Sequence, residues 1–302
     1  MKLIARMALK DGMIIGEDVY SYQNILIVKE GTIVNRQVIH KLARYSIMCV
    51  AIKEPSDTVS LSQEKPQQSV AFKQFENTYM TNLGYLKQMM DGFLAGKTPI
   101  NTTFLLKIHY TIKNTVNSNE QFFSFLSCLN IKESDKTYAQ FLNGAIISHV
   151  FGSWLLLSED DLKTLTLCGF LYDIGKLKLP NSLVWKTEKL NSFEYNWLKT
   201  HTTLGYDLLK KENLNASIIN CTLNHHERCD GSGYPNKIKE PEIDRFSKYI
   251  AIVDDYMKFY SYQNNNAKSR TADDIINYFK QQGESKYDNT ALQFILEGVS
   301  RL

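Results

Sequence analysis

No stretch of this chain is apolar for long enough to cross a membrane. The longest candidate, Phe151 to Leu157, falls far short of the roughly 18 uninterrupted apolar residues that a span requires. The opening segment also lacks an apolar core. Met1 to Gly12 carries Lys2, Arg6, Lys10 and Asp11, which does not fit a signal peptide and sets the expectation of a cytoplasmic protein. Cysteine is scarce and scattered: Cys49, Cys128, Cys168, Cys221 and Cys229 form no CxxC pair. An odd, dispersed set fits reduced thiols rather than a disulfide framework. Cys221 and Cys229 flank a pair of histidines, but isolated cysteines are more often small buried hydrophobes than metal ligands. Excess charge of one sign is missing too. Lys and Arg number 35 against 32 Asp and Glu, a net +3. No basic run is interleaved with aromatics, so no nucleic-acid partner is expected.

What is present reads as a globular protein in two parts. The 302 residues, 43% hydrophobic and 22% charged, suffice for one large domain or two smaller ones. Residues 1–54 are expected to form a small α+β domain. Ile25 to Val28 and Met48 to Ile52 have strand length, and Val38, Ile39, Leu42 and Ala43 give helical spacing within Ile33 to Tyr45, with Asn35 as the cap. Residues 55–69 have the Ser, Gln, Lys and Pro content of a linker. From residue 70 to 302 the pattern is helical. Phe72, Phe75, Tyr79, Leu83 and Leu86 share one face, and Phe104, Leu105, Ile108, Ile112 and Val116 another. Further helices are predicted over 137–157, 161–172, 193–210, 246–260 and 271–282, with no repeat at fixed spacing.

The run His225-His226-Glu227-Arg228-Cys229-Asp230-Gly231-Ser232-Gly233-Tyr234-Pro235 concentrates the chemistry. Two imidazoles adjoin a carboxylate, and a glycine-rich turn follows that neither helix nor strand favours. Three of the six histidines, His201, His225 and His226, lie close in sequence. With Asp173 and Asp254 they make a borderline-to-hard ligand set suited to Fe, Mn, Ni or Zn. Such sites serve phosphodiester hydrolysis, because a metal lowers the pKa of a bound water and neutralises developing charge. His40, His109 and His149 are read as ordinary polar residues without a role.

These residues, with Tyr172-Asp173-Ile174-Gly175-Lys176 upstream, resemble the HD-GYP family of cyclic-di-GMP phosphodiesterases. The resemblance covers residues 70 to 302 and implies a mainly α, HD-type helical bundle behind the small α+β domain. It aligns Gln140 with the family's first-helix histidine and Tyr172-Asp173 with its His-Asp pair. It aligns Lys176 with a phosphate-contacting lysine, His201, His225 and His226 with three downstream histidines, and Asp254 with the final aspartate. One of the family's two metal seats therefore keeps Asp173, His201, His225 and His226. The other has Gln140 and Tyr172 in place of imidazoles, leaving Asp173 and Asp254. A glutamine carbonyl is a weak ligand, and a neutral phenol rarely binds Mn or Zn. His149, nine residues beyond Gln140, lies on the opposite side of that helix. Lys136, one turn before Gln140, is the candidate to place an ammonium in the vacated seat, and Tyr172 to fill its volume.

The resemblance assigns Asp173 and Lys176 to catalysis. It assigns Lys176, Gly233, Tyr234 and Lys248 to nucleotide binding, with Lys248 standing for an arginine. Met257-Lys258 replaces an Asp-Ala, and the family's Arg-Pro-Tyr segment is not recognisable in Tyr260 to Asn266. The expectation is a degenerate module with at most one divalent transition metal per chain and weak or no hydrolysis. It would act by binding cyclic-di-GMP, a related nucleotide, or a GGDEF-type or other signalling protein at the loop from Gly231 to Pro235. Tyr234 is expected there as an exposed anchor. The alternatives are an active phosphodiesterase with an altered metal site and a mononuclear HD-type phosphohydrolase.

Overall fold

A computed structural model describes residues 2–21, 26–45, 47–53, 69–261 and 271–301. The chain divides into two compact units, Met1–Lys65 and Pro66–Leu302, each with its own apolar core. In the first, strand β1 (Lys2–Ala5) pairs antiparallel with β4 (Cys49–Ile52), with Leu3 opposite Ala51. Strand β2 (Val19–Tyr20) pairs antiparallel with β3 (Leu26–Val28). Helix α1 (Arg36–Arg44) starts where the Asn35 side chain accepts the Val38 amide, which satisfies one of the free N–H groups of the first turn. Ile15, Ile27, Val34 and Leu42 close the core between them. The sequence-expected linker lies outside the described residues except for Ser69.

The second unit is helical because its apolar residues recur at helical spacing and its helix starts carry side-chain caps. Ser69 caps α2 (Val70–Leu94), Asn101 caps α3 (Thr102–Lys113) and Ser118 caps α4 (Asn119–Cys128). Helix α5 (Lys136–Trp154) buries residues on every side and forms the axis of the unit. It packs along α6 (Glu159–Leu171), with α2, α3 and α11 (Arg245–Ser261) around it. The short α7 (Asn181–Val184) follows, then α8 (Ser192–Lys199), α9 (His201–Leu209) and α10 (Ala216–Asn224). Helices α12 (Ala272–Gln282) and α13 (Asn289–Val299) complete the described unit. The architecture is mainly α with a small α+β region, as the sequence implied.

The helices differ from the sequence-level reading in two ways. The helix expected over 193–210 is broken at Thr200. Thr200, Thr202 and Thr203 each return a hydroxyl to the carbonyl three residues back, at Trp197, Lys199 and Thr200, and these local bonds compete with a continuous ladder. Helices α4, α10 and α13 were not anticipated, being short and interrupted by polar residues. No helix among the described residues is long and apolar enough to cross a membrane.

Candidate metal centre

Asp173 follows the end of α6 and opens a 3-10 turn over Ile174–Lys178. That turn lies directly on the backbone of α9. A Cβ on Gly175 would sit 1.9 Å from the His201 carbonyl oxygen and 2.6 Å from the Gly205 amide nitrogen, so only glycine allows the approach. The contact seats Asp173 beside His201, the first residue of α9. His225 is the C-cap of α10 and His226 follows it, so both imidazoles turn in from one helix end.

Asp173, His201, His225 and His226 are all buried, and one ligand atom of each lies within 4.8 Å of the others. Asp173 Oδ1 is 3.2 Å from His201 Nε2 and 3.6 Å from His225 Nε2, and the two Nε2 atoms are 3.2 Å apart. The far side of each ring fixes its tautomer. His201 Nδ1 lies 2.6 Å from the Leu198 carbonyl, and His225 Nδ1 lies 3.1 Å from the carbonyls of Cys221 and Thr222. A carbonyl only accepts, so each Nδ1 carries the proton and each Nε2 presents a lone pair. Two lone pairs and a carboxylate oxygen that accepts no hydrogen bond thus converge in a buried space. Left alone they repel, and a divalent cation is the species that resolves them. The donor set of imidazole nitrogen and carboxylate oxygen suits a transition metal.

The electrostatics agree. Burial favours the neutral imidazole and lowers the pKa of His201, and it lowers that of His226 well below the ordinary range, with His225 and Lys258 adding to the effect. Burial pushes the Asp173 carboxyl up, but the Lys176 ammonium is foremost among the groups that draw it well below the usual carboxylate range. Neutral imidazole and ionised carboxylate are the metal-binding forms.

The other side of Asp173 is built oppositely. Oδ2 accepts from Gln140 Nε2 and from Lys176 Nζ, each at 2.7 Å. Tyr172 is fully buried, edge-on to the His225 ring at 5.0 Å, with its hydroxyl 3.7 Å from Met257 Sδ. Burial, then the charges of Asp173 and Asp254, raise its pKa well above the usual value, so it stays a neutral phenol. Asp254, in α11, has Oδ2 3.5 Å from His226 Nδ1 and paired with the Lys258 ammonium, while its buried Oδ1 accepts no hydrogen bond. Lys258 Nζ also lies 3.3 Å from Asp255 Oδ1. Asp255 Oδ2 accepts from Arg228 at 2.7 Å and from the Tyr287 hydroxyl at 2.8 Å.

The remaining sequence-level candidates are not all at the centre. Lys136 does not enter the centre: its ammonium pairs with Glu133 at 2.5 Å and lies 5.8 Å from the Trp185 ring. Lys248 is held by Asp288 at 3.0 Å and Glu240 at 3.5 Å, outside the metal-capable group. Gly233 is buried, and Tyr234 is not an exposed anchor. Its ring stacks on His226 at 4.6 Å, with Lys199 Nζ 5.0 Å from its centroid. His149 faces away, toward Lys113 and Thr166. Cys221 and Cys229 are not in the group. Tyr260 and Ser261 end α11, and 262–266 lie outside the described residues. Sequence reasoning missed the ionic role of Lys258. Its signal was the four-residue spacing from Asp254, which puts both on one helix face.

A model of the HD domain family matches residues 114–291. The chain belongs to the HD domain family. It is 30% identical to the cyclic di-GMP phosphodiesterase response regulator RpfG of Xanthomonas campestris pv. campestris over 161 residues, 52% of this chain and 42% of that protein. It is 36% identical to a cyclic di-GMP phosphodiesterase of Thermotoga maritima over 105 residues, 33% of this chain and 28% of that one. It is also 40% identical to 3'3'-cGAMP-specific phosphodiesterase 1 of Vibrio cholerae over 98 residues, 32% of this chain and 23% of that one. The chain thus matches less than half the length of each of these relatives. In fold it is similar to Bd1817, an HDG"Y"P protein from Bdellovibrio bacteriovorus, with a TM-score of 0.55 at 14% identity and 98% of each chain covered.

Proposed function

We propose that this chain is a cyclic-dinucleotide signalling protein whose HD module holds one divalent transition metal and binds cyclic di-GMP or a related nucleotide, with weak or no hydrolysis. The observation that carries this is the asymmetry of Asp173. Its Oδ1 faces two imidazole lone pairs, whereas its Oδ2 is already taken by two N–H donors, Gln140 and Lys176. Asp173, His201, His225 and His226 would hold the metal, which when bound supplies positive charge and a water of lowered pKa. A single centre lacks the second cation that clamps both attacking and leaving oxygens, which favours binding over turnover. Lys199, Tyr195 and Tyr234 add a cationic and aromatic rim beside His226, with Lys199 Nζ 4.3 Å and 5.0 Å from the two tyrosine rings. Such a rim suits a nucleobase and its phosphate. The named activities of the relatives supply the ligand class.

A protein partner at residues 231–235, of GGDEF type or other, has less support, because Gly233 is buried and Tyr234 is turned in against His226. The second reading, an active phosphodiesterase or mononuclear phosphohydrolase, is favoured by the complete Asp173 and histidine group with Lys176 beside it. Metal analysis of the purified protein, calorimetric titration with cyclic di-GMP, and chromatography of the products separate the readings. Binding with at most one metal equivalent and little linear product is expected. Two equivalents, or turnover like that of an ordinary phosphodiesterase, would overturn the proposal in favour of the second reading.

A further inference from the structure

We propose that Lys258 is a resident cation that keeps this centre mononuclear, its ammonium standing against Asp254 and Asp255 where another metal would otherwise be drawn. The inference rests on the single-metal reading of the Asp173 and histidine group. Three carboxylates with side chains no more than 9% exposed, Asp173, Asp254 and Asp255, lie along this side of the unit. Each is matched by a fixed cation: Lys176 on Asp173 Oδ2, Lys258 on Asp254 Oδ2, and Arg228 on Asp255 Oδ2. The charges cancel before any metal is added.

One dication on the open side leaves an excess that an anionic ligand can meet. A second would bring its charge up against the Lys258 ammonium in a poorly screened space. The donors agree with the charge balance. Around Asp173 Oδ2, the groups from Gln140 and Lys176 are N–H donors, which cannot ligate in that orientation, and Tyr172 turns its hydroxyl to Met257. Lys258 differs from its neighbours in one respect. It enters from the surface, with a side chain 44% exposed, so its removal opens no core cavity. Because the reach is four residues along α11, the pair forms within one helix and needs no distant element.

The test is Mn2+ stoichiometry, by elemental analysis after chelation, reloading and desalting. Wild type and the double variant Gln140→His with Tyr172→His should both retain a single equivalent. Adding Lys258→Ala to that double variant should give a second. A double variant that binds two equivalents with Lys258 present, or a folded triple variant that stays at one, would overturn the inference. Should the multiple variants not fold, Lys258→Ala alone decides it by calorimetry and thermal melting. That variant should gain a weaker Mn2+ site and a larger Mn2+-dependent rise in Tm than wild type, while Lys258→Arg behaves as wild type. Identical titrations for all of these proteins would refute the idea. A wild type that takes up no Mn2+ would instead sink the single-metal reading, and a Mn2+ site gained by Lys258→Ala would still support a cationic block, so the two ideas fail separately.

Discussion

Tyr172 and His225 touch edge to face in the core, yet their chemistry diverges. The phenol has lost its water and gained two carboxylate neighbours, both of which disfavour its anion. The imidazole keeps a lone pair at Nε2 because two carbonyls hold its proton at Nδ1. Tyr172→Phe therefore removes a long contact to sulfur and an interaction with the Gln140 side chain. It should cost less than about 1 kcal/mol in urea denaturation and leave metal content unchanged. Metal loss in that variant would show the phenol to be a ligand. His225→Ala should abolish tight metal binding, since it deletes one of the convergent lone pairs. Lys176 lies between these roles: its ammonium is spent on Asp173 Oδ2 and orients that carboxylate, whatever else it touches when a nucleotide arrives.

At the scale of elements, the centre depends on how closely the 3-10 turn after Asp173 lies on α9. Gly175→Ala would force a methyl group to within 1.9 Å of the His201 carbonyl, so either the turn or α9 must move. A loss of roughly 1–3 kcal/mol is expected from such overpacking, with weaker metal binding because Asp173 and His201 separate. Gly84 is the control. It sits exposed within α2 with nothing within 4 Å of its would-be Cβ, so Gly84→Ala should stabilise by about 0.5–1 kcal/mol and leave the metal unaffected. Equal behaviour of the two variants in melting and metal analysis would remove the close approach as the reason for glycine at 175.

At the scale of the helical unit, its stability should respond to pH partly through histidines outside the metal-capable group. His109, on α3, is buried with neither ring nitrogen hydrogen-bonded, and its ring lies 4.4 Å from that of His149 on α5. Lys113 Nζ is 2.7 Å from His149 Nε2. Burial, then the Lys113 charge, lower the His149 pKa from 6.5 to about 4. Burial and these same neighbours lower that of His109 well below its ordinary value. The unfolded chain thus takes up protons first as pH falls below 6.5. Stability contributed by the neutral His149 ring is complete above that pH and is lost progressively toward about 4, at up to about 1.4 kcal/mol per pH unit, and His109 adds a loss of the same sign. Urea denaturation of chelator-treated protein across this range should show the decline, and His149→Gln should reduce its slope, with His109, His201 and His226 supplying the remainder. A decline of the same slope in that variant would exclude His149 as its source.

The helical character of the large unit and the α+β character of the small one were legible in the sequence, which also named Asp173, His201, His225 and His226 as candidate ligands. Helix periodicity and caps are local properties, and a run such as His225-His226 with a glycine turn is informative wherever it falls. The resemblance read from the sequence also implied that Gln140 and Tyr172 depart from the family pattern, an expectation that rests on their spacing along the chain. Packing decided which groups from separate segments meet. The ion pairs of Lys136 with Glu133 and of Lys258 with Asp254 are local, three and four residues apart, but Trp185 beside Lys136 and His226 beside Asp254 arrive from elsewhere in the chain. Likewise Tyr234 reads as an exposed ring until the chain folds it onto His226. Helix faces follow from the order of residues, but the partner of a long side chain depends on which other helix arrives beside it. That choice belongs to packing.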